Sequence, residues 1–332
     1  MEFRTFTAGP DDDGRRFDRV LKKMFPQSPL SEIYRLLRKG FVKLNGKKAD
    51  ENARVKEGDI ITAACFVCKT DVPNNACASK EASFDTIFRN NYIWIINKPY
   101  GIPVQPTESG TQSISSLVAE SAGSLAGTSL SFTAAPLHRL DKYTTGLLVI
   151  SQNLLGAQWF SAALASEKPR LIKKTYIGIV QGELKDNCSW KDIILSENET
   201  SATRKFHTVT VCQQGSDDMA ETNAFPLAHG AIAGSSVTLV QFDILTGKKH
   251  QIRAQSSYHG YPLWNDTAYG AKKQQQSSQE YQFRAFYLHA LRLECDDENP
   301  IGLPHELIAP PPPDFIFFLT SALIKWNGSL IL

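Results

Sequence analysis

The chain has 332 residues, of which 42% are hydrophobic, 21% charged and 10% aromatic, with 36 Lys and Arg against 34 Asp and Glu. This balance excludes disordered, collagen-like and disulfide-stapled mini-protein classes, and the length accommodates about two domains. Neither the polar, acidic start (MEFRTFTAGPDDD) nor the short apolar run from Phe315 to Ile324 has the form of a secretory signal or of the ~20-residue span a membrane helix needs. Six cysteines spread through the chain do not resemble a secreted disulfide framework, so a cytoplasmic protein without a membrane partner is expected.

The net charge of +2 hides an uneven distribution: Gly14 to Lys69 holds 14 Lys and Arg against 6 Asp and Glu. A basic module on a mildly acidic body suggests a polyanion-binding appendage, because phosphates attract Lys and Arg through counterion release. A solvated helix face gives the same charge cluster. Within this block, Phe17, Val20, Leu21 and Met24 recur at helical spacing, and PQSP then makes a turn. A second amphipathic run places Ile33, Leu36 and Leu37 inward, with Arg35, Arg38 and Lys39 outward, and Gly40 as its stop. Two strand-like pieces follow, FVKLNGKKA, with an Asn45-Gly46 turn signal, and KEGDIITA.

The run from Gly14 to Ala64 resembles the S-four type RNA-binding module, through its RxFD start, IYRLLRKG helix, VxxNG turn and GD strand entry. The resemblance implies that Arg35, Arg38, Lys39, Lys43 and Lys47 face RNA phosphates. We place this module at 14–68, a small-residue and polar linker at 69–83, and a second domain at 84–332.

Beyond the linker the elements alternate. YIWIIN is a buried strand, SISSLVAE a helical piece, GLLVIS a strand and NLLGAQWFSAALAS a helix, with TYIGIVQG and SVTLVQFDIL as further strands. Lys272 to Gln279 is an exposed polar loop. The expected fold class is α+β: a mixed, largely antiparallel sheet domain, plus the small N-terminal α/β module.

The densest chemistry is Leu137 to Ser151, LHRLDKYTTGLLVIS, where His138, Arg139 and Asp141 precede a buried strand. Alone, HRLD reads sooner as a surface loop whose Asp caps backbone N–H groups than as a site. It has company in NKPYGIPVQP, in KKTYIGIVQG with Tyr176 alternating with apolar neighbours, and in TGKKHQIRAQSSYHGYPLWNDTAYG, where His250 and Arg253 share a helix face. With LHALRL these segments, in order, resemble the RluA/RluC/RluD family of pseudouridine synthases over most of Phe84 to Asp314. The N-terminal module followed by this body is the RluC- and RluD-like arrangement, and IYRLLRKG leans towards RluC.

The resemblance implies an isomerase that converts uridine to pseudouridine in RNA. That reaction breaks a C–N glycosidic bond, turns the base and forms a C–C bond without redox change, so no cofactor and no metal are expected. It needs an ionised carboxylate in a sheltered pocket, a role that falls to Asp141. A guanidinium favours the charged carboxylate and orients it, so Arg253 is expected to pair directly with Asp141. Tyr176 matches the tyrosine that stacks on the target base. A phenol of pKa about 10 is a poor base at neutral pH, so stacking is favoured over proton transfer. Arg139 matches the arginine that fills the space left by an extruded base. Lys98, His138, Thr144 and His250 complete the expected RNA-binding set, with His138 chiefly holding the loop and Thr144 and Thr145 bonding its backbone.

The sequence departs from the family pattern at Thr145 (usually Ser), Lys249 (usually Thr), Gln255 (usually His) and Asn265 (usually Gly). The last three bear on RNA contacts and target choice, and Asn265 fits if its backbone is left-handed. Cys65 and Cys68 form a single CxxC without a fourth nearby ligand, and no HExxH, GxSxG or GxxxxGK[ST] pattern occurs. Large-subunit (23S) rRNA or a precursor particle is the expected partner of a monomeric protein, with no DNA. The alternatives are tRNA as substrate, or an RNA-binding ribosome-assembly factor that has lost catalysis.

Overall fold

The computed structural model describes residues 2–65, 83–106, 112–122, 129–167, 170–196, 208–212, 219–232, 234–270, 285–296 and 298–322. All of the expected linker except Ser83, and the polar loop at 272–279, lie outside these residues, as do Cys68 and Cys77.

The N-terminal unit contains β1 (Phe3–Thr7), α1 (Phe17–Met24), α2 (Leu30–Lys39), β2 (Val42–Leu44) and β3 (Ile60–Ala64). The strands form an antiparallel sheet in the order β1-β3-β2. Phe17, Val20 and Leu21 from α1 and Ile33, Leu36 and Leu37 from α2 are buried against Val42, Ile61 and Ala63, as their spacing requires. Gly40 ends α2 in the left-handed region at φ 72°, and Asn45 (φ 50°) and Gly46 (φ 75°) make the tight turn after β2. Strand β1 is an addition to the expected unit, which therefore begins ahead of Gly14. It is an exposed edge strand apart from Phe6, so no hydrophobic alternation announced it.

The second unit is built on a ten-stranded sheet. In chain order its elements are β4 (Thr86–Arg89), β5 (Ile93–Lys98), α3 (Ile114–Ala122), β6 (Thr145–Ser151), α4 (Leu154–Ala165), β7 (Ile172–Gln181) and β8 (Cys188–Ser196). They continue with β9 (Val209–Cys212), β10 (Met219–Ile232), β11 (Ser235–Ile244), α5 (Gln251–Tyr258), β12 (Leu288–Cys295), β13 (Glu306–Ile308) and α6 (Pro313–Ser321). The strand order is β4-β5-β6-β12-β7-β11-β10-β8-β9, with β13 beside β12. All pairings are antiparallel except β6 with β12.

Both faces of the central strands are covered. Tyr176, Phe242 and Leu288 pack on one side, and Ile177, Leu239 and Tyr287 on the other, the latter beneath Phe315 and Phe318 of α6. Burial on both faces explains why these strands read as continuous apolar runs. Gly146 allows the β6–β12 junction: its φ is +105°, and a Cβ there would lie 2.2 Å from the Ala290 carbonyl oxygen.

A polar bracket joins the two units. Asp12 is fully buried; its Oδ1 accepts from the Ser129 hydroxyl at 3.1 Å and the Ser131 hydroxyl at 2.5 Å. Its Oδ2 accepts from the backbone N–H of Leu130 at 2.8 Å and of Gly9 at 2.9 Å. Beside it, Asp11 Oδ1 accepts from the first N–H of α4, that of Leu154, at 2.9 Å. Leu130 packs against the core of the N-terminal unit.

Candidate active site

Asp141 sits in the loop that leads into β6, and the neighbouring chain fixes that loop at both ends. Upstream, Leu137 N–H bonds the Val149 carbonyl at 2.8 Å, and the His138 ring takes the Val149 N–H on Nε2 at 3.1 Å. His138 thus completes the β6 ladder with its side chain. Burial, helped by the charge of Lys174, lowers its pKa to about 3, so the ring is neutral and free to accept. Downstream, Thr144 N–H closes a turn onto the Asp141 carbonyl at 3.1 Å. The Thr145 hydroxyl does not bond the loop backbone. It lies 2.8 Å from Nδ1 of the buried His289, whose Nε2–H donates to the Ala309 carbonyl at 2.9 Å.

Lys98 corrects an expectation. At the end of β5 it is fully buried, and its ammonium donates to the carbonyls of Pro99 at 2.9 Å, Lys142 at 3.1 Å and Thr144 at 2.9 Å. An ammonium spent on three backbone acceptors has no surface to offer RNA; it clamps the NKP turn to the Asp141 loop. Sequence shows that a cation is present, but not which way it points.

Arg253 comes to Asp141 from the first turn of α5. Its Nη1 donates to Asp141 Oδ2 at 3.1 Å, so the expected pair is present. The two-pronged contact, however, goes to Asp266: Nε to Oδ2 at 2.7 Å and Nη2 to Oδ1 at 3.0 Å. The guanidinium carbon also lies 4.5 Å from the Phe286 ring centre and 5.0 Å from that of Tyr269. Burial alone would lower the Arg253 pKa, but hydrogen bonding and charge from Asp266, then Asp141, raise it, and the group stays charged.

His250 caps the N-terminus of α5 in a left-handed conformation, φ 54°. Its Nε2 is 3.7 Å from Asp141 Oδ1, and its Nδ1 is 2.9 Å from the Tyr269 hydroxyl, which itself accepts from Val209 N–H at 2.8 Å. The tautomer with its proton on Nε2 turns a donor towards Asp141, with the Tyr269 hydroxyl then donating to Nδ1. Burial lowers the His250 pKa to about 4 despite the nearby carboxylate, so the ring is neutral.

Tyr176 points from the middle of β7 into the cavity of about 300 Å³ that Asp141, Arg139, His138, Thr144, His250 and Arg253 also line. Burial, and then the charge of Asp141, hold its phenol well above the usual value, which leaves it a flat neutral wall. Arg139 is exposed at the rim. A second cavity of about 490 Å³, with Pro103, Val104, Tyr143 and Phe286 in its wall, shares Arg139, Asp141, His250 and Arg253 with the first. The N-terminal cations Arg35, Arg38, Lys39 and Lys47 are exposed on the separate module, and Lys43 is half-buried above the Phe3 ring at 5.4 Å.

Of the departures from the family pattern, Asn265 is left-handed at φ 65°, the condition under which Asn replaces Gly. Gln255 is fully buried and donates to Asp192 Oδ2 at 2.7 Å while accepting from the Thr222 hydroxyl at 2.7 Å, so it belongs to a buried network of the scaffold. Lys249 lines both cavities. Sequence reasoning assigned no role to Asp266, Tyr269 or Gln251, although all three stand within the quoted segments. Gln251 ties the TGKK loop together, accepting from the Thr246 hydroxyl at 2.8 Å and Lys248 N–H at 3.0 Å.

A carboxylate tethered by a guanidinium, beside a buried tyrosine on a mostly antiparallel sheet, with a basic module attached, is the arrangement that the sequence resemblance implies for an RNA-modifying isomerase. Residues 92–258 match the RNA pseudouridylate synthase family and residues 15–61 match the S4 domain, and the chain belongs to the pseudouridylate synthase family. It is 28% identical over 297 residues to ribosomal large subunit pseudouridine synthase C of Haemophilus influenzae, covering 88% of this chain and 87% of that one. It is 25% identical over 290 residues to the protein of the same name from Vibrio vulnificus, covering 85% and 86%. The structure of human RNA pseudouridylate synthase domain containing 4 shares the fold, with a TM-score of 0.55 and 22% identity over 73% of this chain and 94% of that one.

Proposed function

We propose that the protein converts selected uridines of large-subunit (23S) ribosomal RNA to pseudouridine in the cytoplasm, with Asp141 as the catalytic carboxylate. The target uridine leaves the RNA stack and enters the smaller cavity, and Arg139 at the rim takes the vacated place. Tyr176 supports the face of the base. Asp141 acts on the ribose, either by attack on C1′ to form a sugar ester or by taking the C2′ proton to form a 1′,2′ double bond, and the C–N bond breaks with its electron pair going to N1 of the base. The base turns and C5 bonds to C1′ as the ester breaks or the proton returns to C2′; C5 then loses its proton and N1 gains one, so atoms and oxidation state are conserved. Arg253 keeps Asp141 charged and oriented throughout, and Asp266 keeps Arg253 in place.

The observation that carries this reading is the meeting of Asp141, Arg253 and Tyr176 at one cavity. The ribosomal choice is supported by the relatives named for the large subunit and by the basic N-terminal module. Release of tritium from RNA labelled at C5 of uridine tests it, comparing wild type with Asp141→Ala on rRNA fragments, precursor particles and bulk tRNA. Release from ribosomal RNA that vanishes in the variant is expected. Release from tRNA alone would overturn the substrate assignment, and undiminished release by the variant would overturn the role of Asp141.

A further inference from the structure

The cavity that holds Asp141 has a second charged region that the reaction at C1′ does not use. Side chains alternate along β7, so Ile172, Lys174 and Tyr176 share one face, and all three line this cavity. Arg170, just before the strand, lines it too and is held by an Nη1 bond to the Leu245 carbonyl at 2.5 Å. The Lys174 ammonium reaches the TGKK loop, where a Cβ at Gly247 would stand 3.7 Å from Nζ.

Lys174 has no ion-pair or hydrogen-bond partner among the described residues. Among the lining residues Asp141 is the sole carboxylate, and Arg253 already holds it. Burial, and then the charge of Arg170, lower the Lys174 pKa to about 8, so the free pocket disfavours the ammonium. Two neighbouring cations in a sheltered pocket are unfavourable until an anion joins them. Lys248 and Lys249 line the same cavity and reinforce the demand for negative charge.

We propose that Lys174, with Arg170 beside it, binds one of the two phosphodiesters that flank the extruded uridine. This rests on the reading that the cavity takes a uridine from RNA. A base lying against Tyr176 with its ribose at Asp141 carries a phosphate on each side of the sugar, and Lys174 is two residues along the same strand face from Tyr176. Such a contact fixes the ribose before the base is cut loose, so that C1′ stays at Asp141 while the uracil turns.

The test uses a tritiated rRNA stem-loop that the wild-type enzyme turns over, made also with a single uncharged methylphosphonate on the 5′ or the 3′ side of the target. Lys174→Met is expected to lower kcat/KM on the unmodified RNA by about 10- to 100-fold, the range of one hydrogen bond to a charged group. One of the two neutral linkages should cost the wild type a similar factor and cost Lys174→Met nothing further, while Lys174→Arg keeps most activity. The identity of that linkage distinguishes the 5′ from the 3′ phosphate. If both linkages leave the wild type unaffected, or if the losses from variant and linkage multiply, the inference is overturned. The wild-type linkage comparison decides the matter even if the variant folds poorly. Turnover of the unmodified stem-loop keeps the functional reading intact in either case; absence of turnover on every RNA would overturn both.

Discussion

Asp266 takes the two-pronged face of Arg253 at 2.7 and 3.0 Å, so Arg253 meets Asp141 through Nη1 alone, at 3.1 Å. The guanidinium is a rigid connector: one carboxylate anchors it and the other receives its remaining donor. Nearly all of this assembly is buried, with Asp266 at 1% side-chain exposure and Arg253 at 10%. The division of labour leaves Asp141, the more exposed acid, as the one a substrate can reach.

Loss of the anchor should therefore cost stability as well as rate. Asp266→Ala leaves a buried guanidinium with half its partners and is expected to destabilise the fold by about 3–5 kcal/mol in denaturant unfolding. Arg253→Lys keeps a charge but cannot serve both acids at once, and a fall in kcat of about 100-fold, roughly 3 kcal/mol, is expected. A lysine variant with wild-type kcat would show that the planar geometry is unimportant.

The two neutral histidines at the site predict how stability responds to acid. His250 and His138 have folded-state pKa values lowered to about 4 and about 3, against 6.5 for an ordinary histidine. The unfolded chain thus binds more protons between these values, and folding stability must drop as pH falls. The contribution is fully present above pH 6.5 and is lost progressively down to about 4 for His250 and about 3 for His138. Each ring should add a slope approaching about 1.4 kcal/mol per pH unit within its window. Urea unfolding at a series of pH values measures this, and His250→Gln should flatten the profile between 6.5 and 4. An unchanged profile would mean that His250 is not held neutral.

Lys98 and the N-terminal cations should separate in salt-dependence measurements. Lys98→Met removes three buried hydrogen bonds and should lower stability by about 2–4 kcal/mol, with the slope of RNA affinity against salt unchanged. Arg38→Met or Lys47→Met, on exposed positions, should leave stability alone and reduce that slope by about 0.7–0.9 for each phosphate left without its cation. The reverse pattern would return Lys98 to the RNA face.

Much of the architecture was legible because its signals are local. Helical spacing located Phe17, Val20 and Leu21, and left-handed positions announced themselves as Gly40 and Asn45-Gly46. The Asp141–Arg253 pair was legible only through the family resemblance of the two segments that carry it. Direction and partnership were not. Nothing along the chain says that the Lys98 ammonium turns inward, because two of its three carbonyl partners, those of Lys142 and Thr144, come from a turn forty-odd residues away. Nor could Asp266 be ranked above Asp141 as the partner of the guanidinium fork, since both lie in charged loops and only packing decides which prong each receives. Gln255 was not legible for the same reason: a polar residue in a helix can serve RNA or a buried network, and its neighbours Asp192 and Thr222 come from other strands.

The Asp12 bracket makes the N-terminal module a fixed part of the recognition surface. Through Ser129, Leu130 and Ser131 it holds the basic α2 face in a set relation to the sheet, and Arg15 adds a bond to the Ser131 hydroxyl at 3.0 Å. RNA bound at both places gains because the second contact is intramolecular, and loosening the joint lowers the effective concentration at that contact. Removing the body-side partners with Ser129→Ala and Ser131→Ala together avoids disturbing the Gly9–Asp12 turn inside the module itself. This double variant should raise KM for a long rRNA fragment by about 10-fold. On a short stem-loop that reaches only the Asp141 cavity it should match the wild type. Equal losses on both RNAs would show that the bracket supports the active-site loop through Ser131 and Phe132 instead of positioning the module.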